Sequence, residues 1–274
     1  MSFSNTNGDG STSSPVSIAV SPAPPTTGYW LVAKDGGIFN YGDAKFFGST
    51  GNLHLEHPMV AMAARPQHDG YWLASSAGEI FAFGTAQSFG SLGGRPLNSP
   101  IVGIATTPSG KGYYLVAADG GVFNYGDAKF HDSMGGKRLN SPIVGIAATS
   151  GDGYMLVAAD GGAFSFGDAK FQGSMGGQHL NAPITGAVFQ PGSGGYWMVA
   201  TDGGVFAFGA PFYGSQGGKP LNKAINAIST VTAGDGYRFA AFDGGVFDFG
   251  PGAPFRGSHG GTPLNQPVNG MAGF

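Results

Sequence analysis

The chain has no cysteine among its 274 residues, which excludes disulfide staples, zinc–thiolate sites and thiol chemistry. Charge is scarce too. Asp, Glu, Lys and Arg make up 11% of the residues, less than half the usual share of about 25%. The 13 Lys and Arg are scattered and the net charge is −3. Sequence-independent nucleic-acid binding needs several cations facing phosphates, so nucleic acid is not an expected partner. No apolar run reaches the ~18 residues of a membrane span. The opening MSFSNTNGDGSTSSP lacks the apolar core of a secretory signal, and residues 1–15 read as a polar tail or linker.

Glutamate is almost missing: Glu56 and Glu79 are the only two. There is no Gly-Xaa-Ser-Xaa-Gly elbow, no His-Glu-Xaa-Xaa-His and no phosphate loop. Six histidines are dispersed, with His54 and His57 the one close pair. Asn5–Gly10 has the look of a calcium loop, but Val16 stands where the bidentate Glu is required. The expectation is therefore a chain without catalytic residues, metal or cofactor.

Glycine and aromatics are abundant: 52 Gly, 22 Phe, 10 Tyr and 3 Trp. They are arranged in a repeat. A Gly-Tyr pair recurs at Gly28, Gly70, Gly112, Gly153, Gly195 and Gly236, spaced by 42, 42, 41, 42 and 41 residues. One unit runs from Pro100 to Ser141. In it, Ile101–Thr107, Gly112–Ala118, Gly121–Tyr125 and Ala128–Ser133 read as strands. The Asp-Gly pair between the second and third is a strong hairpin signal, because the turn needs positive φ. Four strands in about 42 residues is the blade period of a β-propeller. The sequence thus predicts an all-β propeller over residues 16–274, six blades of four antiparallel strands, with seven blades as the alternative. A β-trefoil uses three such units rather than six, and a β-solenoid uses shorter ones.

The first strand occurs seven times, from Val16–Val20 to Val268–Phe274, against six copies of the others. One terminal copy is expected to complete a blade begun at the other end, because closure removes exposed sheet edges. Propeller connectivity further predicts that the Asp-Gly-Gly turns and the Leu-Asn loops share one face, with the Gly-Asp-Ala turns on the other.

The strings Gly-Tyr-Trp-Leu-Val-Ala, Asp-Gly-Gly-Xaa-Phe and Phe/Tyr-Gly-Asp-Ala resemble a repeat of secreted actinobacterial proteins, where it accompanies cell-wall amidases, peptidases or esterases. The resemblance implies a propeller in an extracellular or cell-surface setting. It assigns no catalytic residue.

Each group of repeated residues has two readings. Asp35, Asp119, Asp160, Asp202 and Asp243 are turn formers, or a ring of carboxylates for sugar or cation. Asn98, Asn140, Asn181, Asn222 and Asn265 lock loops through backbone bonds, or offer amides to glycan hydroxyls. Trp30, Trp72 and Trp197 share a position with Tyr114, Met155 and Arg238; they pack between blades, or stack on sugars at open junctions. The Gly-Asp-Ala residues Asp43, Asp127 and Asp168 read as turn formers. The leading functional expectation is a multivalent module for carbohydrate of a cell envelope, six repeats giving avidity. The alternative is a protein-interaction or surface-assembly platform. A flat apolar patch outside the ring would favour that alternative, and unpaired acids at a channel mouth would favour an enzyme.

Overall fold

A computed structural model describes residues 27–274. The tail 1–15, its calcium-like stretch and the Val16–Val20 strand copy lie outside the described residues. In chain order the strands are β1 (Gly28–Ala33) and β2 (Ile38–Gly42), then β3 (Met59–Ala64), β4 (Gly70–Ser75) and β5 (Ile80–Gly84), then β6 (Ile101–Thr106), β7 (Gly112–Ala117) and β8 (Val122–Gly126). The second half continues with β9 (Ile143–Ala148), β10 (Tyr154–Ala158) and β11 (Ala163–Phe166), β12 (Ile184–Phe189), β13 (Tyr196–Ala200) and β14 (Val205–Phe208), β15 (Ile225–Thr230), β16 (Tyr237–Ala241) and β17 (Val246–Phe249), and ends with β18 (Val268–Gly273).

These form six antiparallel sheets of three strands each. The innermost strands β3, β6, β9, β12, β15 and β18 lie side by side in that order, and β18 returns to β3. The result is a closed six-bladed, propeller-like ring. The C-terminal copy of the first strand completes the blade begun by β1: Tyr29 pairs with Gly273 and Leu31 with Met271.

Every residue of the middle strands β1, β4, β7, β10, β13 and β16 is buried. Their side chains alternate between the two neighbouring blades, as strand geometry demands. The tyrosine position faces the preceding blade and the tryptophan position the following one, so Trp30 joins Tyr71 and Leu73 in one core cluster while Tyr29 joins Ala240 and Val246 in another.

The expected fourth strand is not there. The segment after each outer strand runs through the wedge between blades without a ladder, because side chains take over its backbone groups. The hydroxyls of Tyr29, Tyr71, Tyr113, Tyr154, Tyr196 and Tyr237 each donate to a carbonyl of the preceding blade's segment, at 2.5–2.6 Å. The same hydroxyls accept the N–H of the residue just before, at 3.1–3.3 Å. The indoles of Trp30, Trp72 and Trp197 donate to Lys45, Gln87 and Pro211 carbonyls at 2.7–2.8 Å. A glycine with φ between 131° and 135° then breaks any extended run at Gly48, Gly90, Gly173, Gly214 and Gly257. Asp132 fills that place in the third unit with φ 127°, a region that disfavours residues with a Cβ. Burial pushes the Tyr71, Tyr154, Tyr196 and Tyr237 phenols above their ordinary range.

On one face a girdle of backbone bonds joins the blades. Residues 34, 76, 118, 159, 201 and 242 each donate to the carbonyl that precedes their own blade's inner strand, and each accepts from the first N–H of the next blade's inner strand, all at 2.8–3.0 Å.

Candidate functional site

The hairpin turns stand next to this girdle. Asp35, Asp119, Asp160, Asp202 and Asp243 each accept, through Oδ1, the N–H two residues ahead at 2.9–3.0 Å. The glycine between has φ of 77–82°. In the second unit Ala77 and Glu79 replace the Asp and the second Gly, and the Glu79 carboxylate accepts from Ser75 Oγ at 2.7 Å instead. The asparagines Asn98, Asn140, Asn181, Asn222 and Asn265 are exposed in the loops between blades. Asn98 and Asn140 line the same shallow hollow as Asp119, and Asn222 lines one with Asp243. Turns and loops therefore share a face, as connectivity predicts. The asparagine amides form no protein hydrogen bond among the described residues, so they do not lock their loops by the expected backbone bonds.

The Gly-Asp-Ala turns lie at the opposite strand ends. Thr27 N–H donates to Asp43 at 3.0 Å, Thr107 Oγ1 to Asp127 at 2.8 Å, and Thr149 Oγ1 and Gly153 N–H to Asp168 at 2.6 and 2.8 Å. These carboxylates are structural braces.

Trp30, Trp72 and Trp197 are wholly buried. Each packs against a tyrosine of the next blade, with ring centroids 5.1–5.6 Å apart. No ring face is left for a ligand. The exposed aromatics are others: Phe46, Phe130, Phe171, Phe212 and Phe255, with 54–63% of their surface in solvent. They occupy one repeat position, in the segment that leaves each Gly-Asp-Ala turn, and form a rim on that face: the residues after them, Phe47, His131, Gln172 and Arg256, lie beside the next blade's turn glycines Gly84, Gly167, Gly209 and Gly42, and Ser88 replaces them in the second unit. Sequence reading assigned this stretch to a fourth strand and missed them. The available signal was the retained Phe beside a freely varying neighbour: Phe47, Phe89, His131, Gln172, Tyr213 and Arg256.

At the hub, a cavity of about 610 Å³ opens on the Gly-Asp-Ala face. Its floor is a tier of Met62, Ile104, Ile146, Ala187, Ile228 and Met271. Asp168 is the carboxylate among its lining residues, and it is already held by Thr149 and Gly153. On the same face, in the β15–β16 connection, Asp235 Oδ1 is buried without a hydrogen-bond partner, but Asp235 does not line the cavity.

No family model matches the sequence, and no curated protein matches it. Solved structures do. The chain is similar to U3-55K with a TM-score of 0.52 and 16% identity, over 72% of this chain and 62% of that one. It is similar to the RRP9 WD40 repeats with a TM-score of 0.51 and 15% identity, over 72% and 61%. The chain thus covers less than two thirds of either relative. At such identity the likeness shows the fold alone: an all-β propeller.

Proposed function

We propose that this chain is a non-catalytic platform for protein partners that dock on the Gly-Asp-Ala face, over its rim of phenylalanines. The observation that carries the reading is the fivefold recurrence of an exposed phenylalanine at one structural position. Single exposed apolar residues are common on protein surfaces, but one at the same position of five units offers a partner a regular set of apolar contacts. The Asp-Gly-Gly and Gly-Asp-Ala aspartates, by contrast, are engaged in their turns. The glycan expectation rests on the exposed loop asparagines, and the comparisons lend it no support. An extracellular or cell-surface setting belongs to the proposal through the repeat's resemblance.

Photo-crosslinking tests it. A benzophenone amino acid is placed at Phe171 or Phe212 on the rim, and at Asn140 on the turn face, in the native host. The expected outcome is protein adducts from the rim positions, lost when the remaining rim phenylalanines become Ser. Adducts arising only from Asn140, together with binding to envelope glycans, would return the reading to carbohydrate.

A further inference from the structure

The central cavity has no part in the rim reading, and its lining is specific. Along the channel, the second residues of the inner strands form the tier farthest from the mouth. Three of them are Val60, Val102 and Val144, and three are Thr185, Asn226 and Asn269. The polar three tie one blade to the next: Thr185 Oγ1 donates to the Asn226 carbonyl at 3.3 Å, Asn269 Nδ2 to the Met59 carbonyl at 3.0 Å, and Asn226 Nδ2 to the Val268 carbonyl. None of these six lines the cavity. The cavity is therefore a cup, ending at the apolar tier of Met62, Ile104, Ile146, Ala187, Ile228 and Met271.

The cup is lopsided. Ala187 makes the floor shallowest in side-chain bulk at β12, and the polar wall rises on that side from Thr149, Ser150, Gln190, Ser193 and Lys170. Two charged residues line it. Asp168 Oδ1 accepts from Thr149 and Gly153, and Gly151 leaves room for its second oxygen, which a Cβ there would meet at 1.7 Å. Lys170 is exposed and forms no ion pair among the described residues. Its stem lies alongside Gly194 at the mouth. A concave site with an apolar floor and a few convergent polar groups is a usual form of a small-ligand site. Lys170 is the one charged lining side chain with no partner among the described residues, and it points to an anionic group on the ligand.

We infer that the hub cavity binds an amphipathic monoanion, its apolar body on the Met/Ile/Ala floor beside Ala187 and its anionic group at Lys170. The site shares the Gly-Asp-Ala face with the rim but uses other side chains, so either can fail alone.

The probe pair is 8-anilinonaphthalene-1-sulfonate, an amphipathic anion, and N-phenyl-1-naphthylamine, its neutral counterpart. The expected result is one saturable site for the anion on the folded chain. Ala187→Phe fills the floor and weakens both probes by about tenfold or more; Ser150→Trp obstructs the mouth and does the same without touching the core. Lys170→Met weakens the anion by about tenfold, the size of one charge-assisted contact, and leaves the neutral probe unchanged. A chain with all five rim phenylalanines changed to Ser keeps the site. Anion binding that survives both Ala187→Phe and Ser150→Trp, or that disappears with the rim phenylalanines, overturns the inference. Equal loss of both probes in Lys170→Met overturns the assignment of charge.

Discussion

Two junctions of the ring do the same job with opposite chemistry. Between the fifth and sixth blades, Trp197 lies wholly buried against Tyr213 and Tyr237. Between the sixth blade and the first, where the ring closes, the same position is Arg238, also fully buried. Its guanidinium sits 4.6 Å over the Tyr29 ring, donates from Nε to Asp248 at 2.9 Å and from Nη1 to the Gly28 carbonyl at 3.3 Å. Gly28 is also where Phe274 N–H docks, at 3.0 Å. Arg238, anchored by Asp248 of its own blade, thus docks on the first strand of the closing pair where other junctions use uncharged bulk. Arg238 Nη2 and Asp248 Oδ2 find no partner among the described residues. Desolvating two charges offsets much of their attraction. The lesson is that this seam is specific in geometry rather than strong.

Four measurements sharpen or break the comparison. Trp197→Ala removes bulk and an indole bond, and should cost about 3–5 kcal/mol in urea unfolding. Arg238→Ala should cost a similar 3–5 kcal/mol for a different reason, by leaving the buried Asp248 carboxyl without its partner. A loss under about 1 kcal/mol for either would show that its junction is soft.

Next comes pH. Burial pushes the Asp248 carboxyl up to about 6, more than Arg238 pulls it down. The folded chain therefore holds this proton more tightly than the unfolded one, whose carboxylate titrates near 4. The contribution is fully present below about pH 4 and is lost as pH rises through about 6. Two pK units correspond to about 3 kcal/mol. Asp248→Asn should remove it, so the variant gains on the parent between pH 4 and 7 in thermal melts. Parallel curves would refute the linkage.

Third, Arg238→Trp with Asp248→Asn rewrites the seam in the language of the other junctions. It should gain about 2 kcal/mol, because buried ion pairs are often bettered by apolar packing. A clear loss would mean that Arg238 positions the closing strand in a way bulk cannot. The smallest effect is at the turns: Asp119→Ala deletes one bond to a turn N–H and should cost about 1 kcal/mol, and Asp119→Asn should restore it.

Much of this architecture could be read from residue order alone. The Gly-Tyr spacing gave the number of blades, and the surplus first strand announced closure from the other end. The seam was only half visible: Arg238 stands out at the tryptophan position, but its partner Asp248, opposite it on the paired strand, went unread. The missing fourth strand was not legible. Ala128–Ser133 has the composition of a strand, and nothing local reveals that Tyr154, more than twenty residues on, holds its backbone. The rim was hidden by that same misreading, because a residue assigned to a strand is given a face to bury. The tryptophans illustrate the limit in reverse. Their position was clear, but full burial depends on the neighbouring blade, which one repeat cannot show.

The pairing of β1 with β18 has a mechanical consequence. Gly28 and Phe274 exchange hydrogen bonds at one end of that pair, so a pull applied between them acts across the ladder instead of along it. The bonds then part singly, from Gly28 inward, like a zipper. Tension carried through both ends of the ring would open it at this seam before any other blade was loaded, whereas tension carried from the rim to one end would spare the seam.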